Sequence, residues 1–96
     1  MTQAQHTGTL HILNKTPGHP RFLTCLATLS DKDALVLTEN GVLALSDTYT
    51  PLPQHTVALT DDVEARGLSG AASSDQLISH SQLVTLTEQY SRIISW

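Results

Sequence analysis

The chain predicts an α/β fold, a three-layer α/β/α domain around a mainly parallel, about five-stranded sheet. Short apolar runs alternate with amphipathic stretches along the whole length, and short links join them, as in parallel sheets sandwiched between helices. Ala34-Leu-Val-Leu37 is apolar without interruption, which is the pattern of a strand covered on both faces. Helix-boundary residues also stand where each apolar run gives way: Pro20, then Thr60-Asp-Asp62 with Gly67, then Ser79 with Gln82.

The elements follow in order. Thr9 to Asn14 reads as a short strand, closed by the turn cluster Lys15-Thr-Pro-Gly-His-Pro20. Pro20 suits the first turn of a helix, where a missing N–H is no loss, and Phe22, Leu23, Leu26 and Leu29 then share one helical face. A second strand covers residues 33–38. His55 to Leu59 gives a third strand, and Thr60 is a good N-cap for the helix behind it. Asp61, Asp62 and Glu64 occupy that helix's first turn, where the macrodipole favours negative charge, and Gly67 ends it.

Gly67 to Ser74 is small and polar, a flexible connection into a short fourth strand around Leu77-Ile78. Ser79 with Gln82 matches a capping box, after which Leu83, Leu86 and Tyr90 recur at helical spacing. Arg92 to Trp96 closes as a fifth strand over residues 92–95. The polar, aperiodic residues 1–8 read as a flexible extension, leaving 9–96 as a single domain.

One segment supports two structures. Asn40-Gly41 lies between Ala34–Leu37 and Val42–Leu45, the strongest short-range signal for a β-hairpin with a type I′ turn. Asn40 serves equally well as the N-cap of a short helix. The turn-rich Ser46-Asp-Thr-Tyr-Thr-Pro-Leu-Pro53 beyond it is expected to be a loop.

Composition narrows the function. With 96 residues there is one domain, and aromatics supply only 4%, so the core is built from Leu, Val, Ile and Ala. A chain this short buries about two-thirds of its unfolded surface, and burial against a partner chain would help it. The formal charge is −4, and Lys15, Arg21, Lys32, Arg66 and Arg92 are scattered, so the basic footprint of a nucleic-acid binder is missing. No apolar run approaches the roughly 18 residues of a membrane span, and Met1 to Thr9 lacks the regions of a secretory signal. One cysteine excludes an internal disulfide, and a cytoplasmic setting is expected.

The residues that could do chemistry are few. Cys25 is the only thiol. It lies at the edge of the Phe22/Leu26/Leu29 face, where a free cysteine usually serves as a small buried hydrophobe. Only a thiolate is a nucleophile, and Cys25 is more than one turn into its helix, beyond strong help from the dipole. His11 has no base–nucleophile partner nearby in sequence and reads as a packing or hydrogen-bonding residue. His6, His19, His55 and His80 are scattered without ligand spacing, so no metal site is expected. Helix-start electrostatics accounts for Asp61 and Asp62. Gly67-Leu-Ser-Gly70 follows a helix and lacks both the P-loop lysine and the dinucleotide fingerprint, so no cofactor is expected. No nucleophile elbow surrounds any serine.

Leu10-His-Ile-Leu-Asn-Lys-Thr-Pro17, Val57-Ala-Leu-Thr-Asp-Asp-Val-Glu-Ala-Arg-Gly-Leu-Ser69 and the closing Ile94-Ser-Trp96 together resemble the TusB/DsrH family of small sulfur-relay subunits. The motifs are short, but their order and spacing match from Leu10 to Trp96. The resemblance favours a short helix after Asn40-Gly41. It implies a non-catalytic or accessory subunit, joined by two related sister subunits, TusC/DsrF-like and TusD/DsrE-like, in a dimer of heterotrimers. Such a complex receives persulfide sulfur from an upstream carrier and passes it downstream, towards the 2-thio group of tRNA wobble uridine. In the DsrH branch it serves dissimilatory sulfur oxidation.

The family also makes Cys25 a candidate sulfur carrier, since a cysteine recurs at this helix position in many members. The principal sulfur-carrying cysteine belongs to a sister subunit in either branch. Ser79-His80 and Glu88-Gln-Tyr90 depart from the family's frequent acidic-aromatic pair and histidine. A sulfur carrier in its own right and a small-molecule-binding α/β module are the competing readings. The last would place its ligand at the carboxyl ends of the strands.

Overall fold

A computed structural model describes residues 6–96. In chain order the elements are β1 (His6–Leu13), α1 (Pro20–Thr28), β2 (Ala34–Leu37), a 3₁₀ helix (Glu39–Ser46), β3 (Val57–Leu59) and α2 (Thr60–Ala65). Two 3₁₀ turns, Ser69–Ala71 and Ser74–Gln76, lead to β4 (Leu77–Ile78), α3 (His80–Gln89) and β5 (Tyr90–Ser95). Of the extension expected over residues 1–8, His6 to Gly8 belong to β1, and residues 1–5 lie outside the described residues.

All strand pairs are parallel, in the order β4-β3-β2-β1-β5. The connections from β1 to β4 travel one way across the sheet, and the last returns past β1. Because parallel crossovers are right-handed, that reversal sends α3 to the opposite face from α1 and α2. Two apolar layers result. Leu13, Leu35, Leu37 and Ala58 meet Phe22 and Cys25 of α1, Val42 and Ala44 of the 3₁₀ helix, and Val63 of α2. On the other face Leu10, Val36, Leu59 and Ile78 pack with Leu83 and Leu86 of α3 and with Tyr90.

Local chemistry sets the helix ends. His19 caps α1 by accepting the Arg21 N–H on Nδ1 at 3.0 Å, with Pro20 at the first helical position. The face that α1 buries contains Phe22 and Cys25, flanked by Leu26 and Leu29. Leu23, expected on that face, points outward at 59% exposure. Thr60 opens α2 one residue inside its cap, Leu59, and gives its hydroxyl to the Ile78 carbonyl at 3.1 Å. Gly67, at φ +67°, closes α2 in a Schellman arrangement. There the Gly67 N–H donates to Glu64 O and the Leu68 N–H to Val63 O.

Ser79 and Gln82 form the expected capping box on α3. Tyr90, expected on the same helical stripe, begins β5 instead and still packs on that face. The connection after Gly67 contains the two 3₁₀ turns, the second with its own capping box from Ser73 and Gln76.

The hairpin reading of Asn40-Gly41 fails and the short helix forms. Both edges of β2 are taken by parallel partners, β1 and β3, which leaves no edge for an antiparallel return. The residue capping the 3₁₀ helix is Thr38, not Asn40. Glu39 adopts φ 49°, a left-handed conformation uncommon outside glycine. Its N–H donates to the Asp62 carboxylate at 2.7 Å, which helps hold that turn. The Asn40 side-chain oxygen accepts the Arg66 guanidinium at 3.2 and 3.1 Å, tying the 3₁₀ helix to α2.

Gly41 lies directly against the end of β1, where an added Cβ would run into the Leu13 carbonyl oxygen. That oxygen already accepts the Thr38 N–H at 3.0 Å, so it cannot move aside without breaking the β1–β2 edge. Gly41→Ala is therefore expected to cost about 2 kcal/mol or more, in the upper range of overpacking effects. Urea unfolding of the variant measures it. A loss of only a few tenths would mean that the turn relaxes freely.

Candidate functional site

The chemistry-bearing side chains meet on the face covered by α1, around β1. His11 is 1% exposed and engages both ring nitrogens. Its Nδ1 lies 3.0 Å from the indole Nε1 of Trp96, and its Nε2 lies 2.9 Å from Asp33 Oδ2. An indole N–H can only donate, so Nδ1 accepts. The ring is then the neutral tautomer whose Nε2–H donates to the carboxylate. The His11 and Trp96 ring planes are nearly parallel, 19° apart, with centroids 6.0 Å from each other.

Sheet register assembles the group. Leu35 stands opposite His11 on one side and Ile94 on the other, so Asp33 falls two positions before the histidine on the β2 side and Trp96 two positions beyond it on the β5 side, where each meets one ring nitrogen. Asp33 is itself enclosed by donors. Its Oδ1 accepts the Thr9 N–H at 2.9 Å and the Ser30 hydroxyl at 3.0 Å, and its Oδ2 also accepts the Ser30 N–H at 3.2 Å. Burial pushes this carboxyl up, but Thr9, His11 and Ser30 together outweigh it and take it from 3.8 to about 2. At the far side of Trp96, its N–H donates to Ile12 O at 2.8 Å, and Lys15 Nζ donates to the Trp96 main-chain oxygen at 3.0 Å.

This Asp–His pair resembles half of a catalytic triad, yet it has no base to offer. The nitrogen that would face a nucleophile is occupied by the Trp96 donor, and the ring is sealed from solvent. The group is a fastening between strands.

Cys25 sits in the same layer, fully buried among the apolar side chains of β1, β2 and α1. Burial pushes its thiol up to about 11, so it stays protonated at neutral pH. No hydrogen bond or charge offsets that desolvation. Sequence spacing placed Cys25 at the edge of the buried face, whereas α1 turns it fully inward and Leu23 outward.

Asp61 and Asp62 do more than favour a helix start: Asp62 also holds the Glu39 N–H, and Asp61 lies 3.6 Å from His80. The carboxyl ends of β1 and β5, the switch point of this sheet, are occupied by Lys15, bonded to Asn14 and Trp96. A cleft of about 410 Å3 opens instead near the start of β2, between Leu26, Leu29, Asp33 and Pro53–His55. Cys25 is not in its lining. Among the described residues no helix is long and apolar enough to cross a membrane.

Because folding lowers the Asp33 pKa, the unfolded chain binds more protons than the native one between pH 3.8 and about 2. The stability it supplies is complete above the ordinary carboxyl range and is lost as pH falls through about 2. Asp33→Ala is expected to cost roughly 2–3 kcal/mol at neutral pH, as for loss of a charged hydrogen-bonding partner. It should also flatten the acid limb of stability. Urea unfolding at stepped acidic pH reads both, and an unchanged acid limb would assign that limb to other carboxylates.

Comparison with known proteins gives a consistent answer. The family model described as DsrH like protein matches residues 15–93. Protein TusB of Enterobacter sp. (strain 638) is 33% identical over 94 residues, which span 91% of this chain and 99% of that protein. Protein TusB of Escherichia coli O1:K1 / APEC and that of Shigella boydii serotype 18 are each 35% identical, with the same coverage. A strand–helix order that fits the sequence motifs, a family match over most of the chain and full-length relatives agree: this chain belongs to the TusB/DsrH family.

Proposed function

We propose that this chain is the TusB-type subunit of a heteromeric persulfide relay that supports 2-thiolation of tRNA wobble uridine. The observation that carries this reading is its 33–35% identity to TusB proteins along nearly their whole length. Relatives of that name favour the tRNA branch over sulfur oxidation and over an unrelated small-molecule module.

The chain's own chemistry suits an accessory role. His11 has no free basic nitrogen, and the buried Cys25 thiol is protonated at neutral pH. Cys25 remains the candidate carrier within this chain, but its surroundings favour packing. The sulfur-bearing cysteine then belongs to a sister subunit. We assign as partners TusC/DsrF-like and TusD/DsrE-like chains in a dimer of heterotrimers, which meets upstream and downstream sulfur carriers in the cytoplasm. Exposed Leu23, Val84, Ile93 and Ile94 give such partners apolar surface to cover. The net charge of −4 speaks against direct tRNA contact by this chain.

Co-expression with the two sister subunits in cells lacking their own TusB tests the reading. The expected result is co-purification as one complex and restored 2-thiouridine in hydrolysed tRNA. A chain that stays alone and restores no thiolation overturns it. In the same assay Cys25→Ser is expected to lower stability by about 1–2 kcal/mol, the cost of a hydroxyl in an apolar site, while thiolation persists. An intact complex that loses all thiolation, with a persulfide mass shift on wild-type Cys25, would make this thiol a relay group.

A further inference from the structure

We propose that Trp96 is a proton-operated latch: uptake of a proton by His11 releases the indole from β1 and exposes it beside β5. The basis is the donor count at one buried ring nitrogen. His11 Nδ1 receives the Trp96 N–H at 3.0 Å, and Nε2 already spends its proton on Asp33 at 2.9 Å. An added proton can only go to Nδ1. Two donors then face each other at hydrogen-bond distance, and the indole has no lone pair with which to answer.

The doubly protonated ring keeps its bond to Asp33 in either arrangement. Swinging the indole away lets the new N–H reach water while the Asp33 pair persists. Closed and neutral, or open and protonated, are thus the two arrangements without a donor clash. By linkage the open one gains on the closed one by up to about tenfold per pH unit for a single proton.

Three groups near the ring have shifted pKa values and keep one protonation state from about pH 8 to about pH 5. Asp33, from the turn before β2, is ionised down to about 2. Cys25, from α1, is a neutral thiol with its pKa about 11. Tyr90, at the start of β5, has its hydroxyl pushed up by burial and then by the charge of Asp33, and stays neutral. The other charged or titratable side chains there are Lys15, after β1, Arg92, opposite Thr9 on β5, and His55, which lines a cleft with Asp33. Asp31 and Lys32, on the turn before β2, are exposed. The main chain of Trp96 is held separately, by Ile12 O and Lys15 Nζ, so the indole is the part that swings.

Trp96 is the only tryptophan in the chain, so its fluorescence reports on this contact alone. The test is acrylamide quenching of the full chain from about pH 8 to about pH 5, with far-UV circular dichroism confirming that the sheet persists. Quenching is expected to rise as pH falls, following one proton. In His11→Asn, whose side-chain oxygen can accept the indole N–H and does not titrate, it is expected to stay flat. Constant quenching in the wild type, or the same rise in His11→Asn, overturns the proposal. Should that variant not fold, nitrogen NMR of the wild type decides. The His11 ring signals and the Trp96 indole N–H signal must change over the same pH range. An indole that keeps its hydrogen-bonded shift while His11 takes its proton refutes the latch.

Discussion

An indole N–H can only donate and an ionised carboxylate can only accept, so the imidazole joining Trp96 to Asp33 has one arrangement open to it. That arrangement fixes the tautomer and plane of His11 at 1% exposure, and it links residues far apart in sequence. Asp33 in turn organises the turn before β2 by taking donors from Ser30 and the backbone of Thr9. Each group in the chain is fully satisfied only when the others are in place. A polar group buried without a partner would cost about 1–3 kcal/mol, as much as or more than losing a helix cap. The network therefore specifies how β1, β2 and β5 meet, beyond the apolar layers, which would tolerate some sliding.

The side of the sheet that most needs this fastening is the one built last in the sequence. β5 joins only β1, and most of its residues are exposed, including Ile93 and Ile94 on opposite faces. None of α3 is fully buried, although Leu83 and Leu86 pack onto the sheet. The α1 side differs: Phe22, Val42 and Val63 are fully buried there. β5 is attached by its parallel ladder with β1, and the Trp96 contacts and the Lys15 bond to the Trp96 main chain fasten the end of that ladder. An edge strand with exposed apolar residues is also what natural sheets usually shield.

What the sequence made legible were the features that depend on near neighbours. Pro20, Gly67 and the Ser79–Gln82 box bound their helices because a missing N–H, a left-handed φ and a reciprocal cap are local matters. Ala34–Leu37 was readable as a strand covered on both faces for the same reason. The Asn40-Gly41 hairpin was a sound local inference, and it failed because both edges of β2 were already taken, a fact of topology. The candidate site was harder. His11 was recognisable as a hydrogen-bonding residue, yet neither Asp33 nor Trp96 could be named as its partner, since parallel register alone brings them together. A lone apolar-strand histidine together with an aspartate just ahead of the next strand is the one signal that could have prompted the search.

Cys25 shows how burial separates a residue's presence from its chemistry. Burial pushes its pKa up to about 11, so at pH 7 it is a protonated thiol and not the nucleophilic thiolate. Accepting a persulfide sulfur requires that thiolate to reach a donor from another protein, yet the side chain is enclosed by β1, β2 and α1. Opening α1 would expose Phe22 and Leu26 as well, so the cost of access is that of unpacking a layer rather than rotating one side chain. A thiol fits this pocket as a soft, small apolar group does, and larger aliphatic residues would crowd the same space. Packing alone therefore accounts for a thiol in this pocket, and a persulfide relay needs a thiol that solvent and partner proteins can reach.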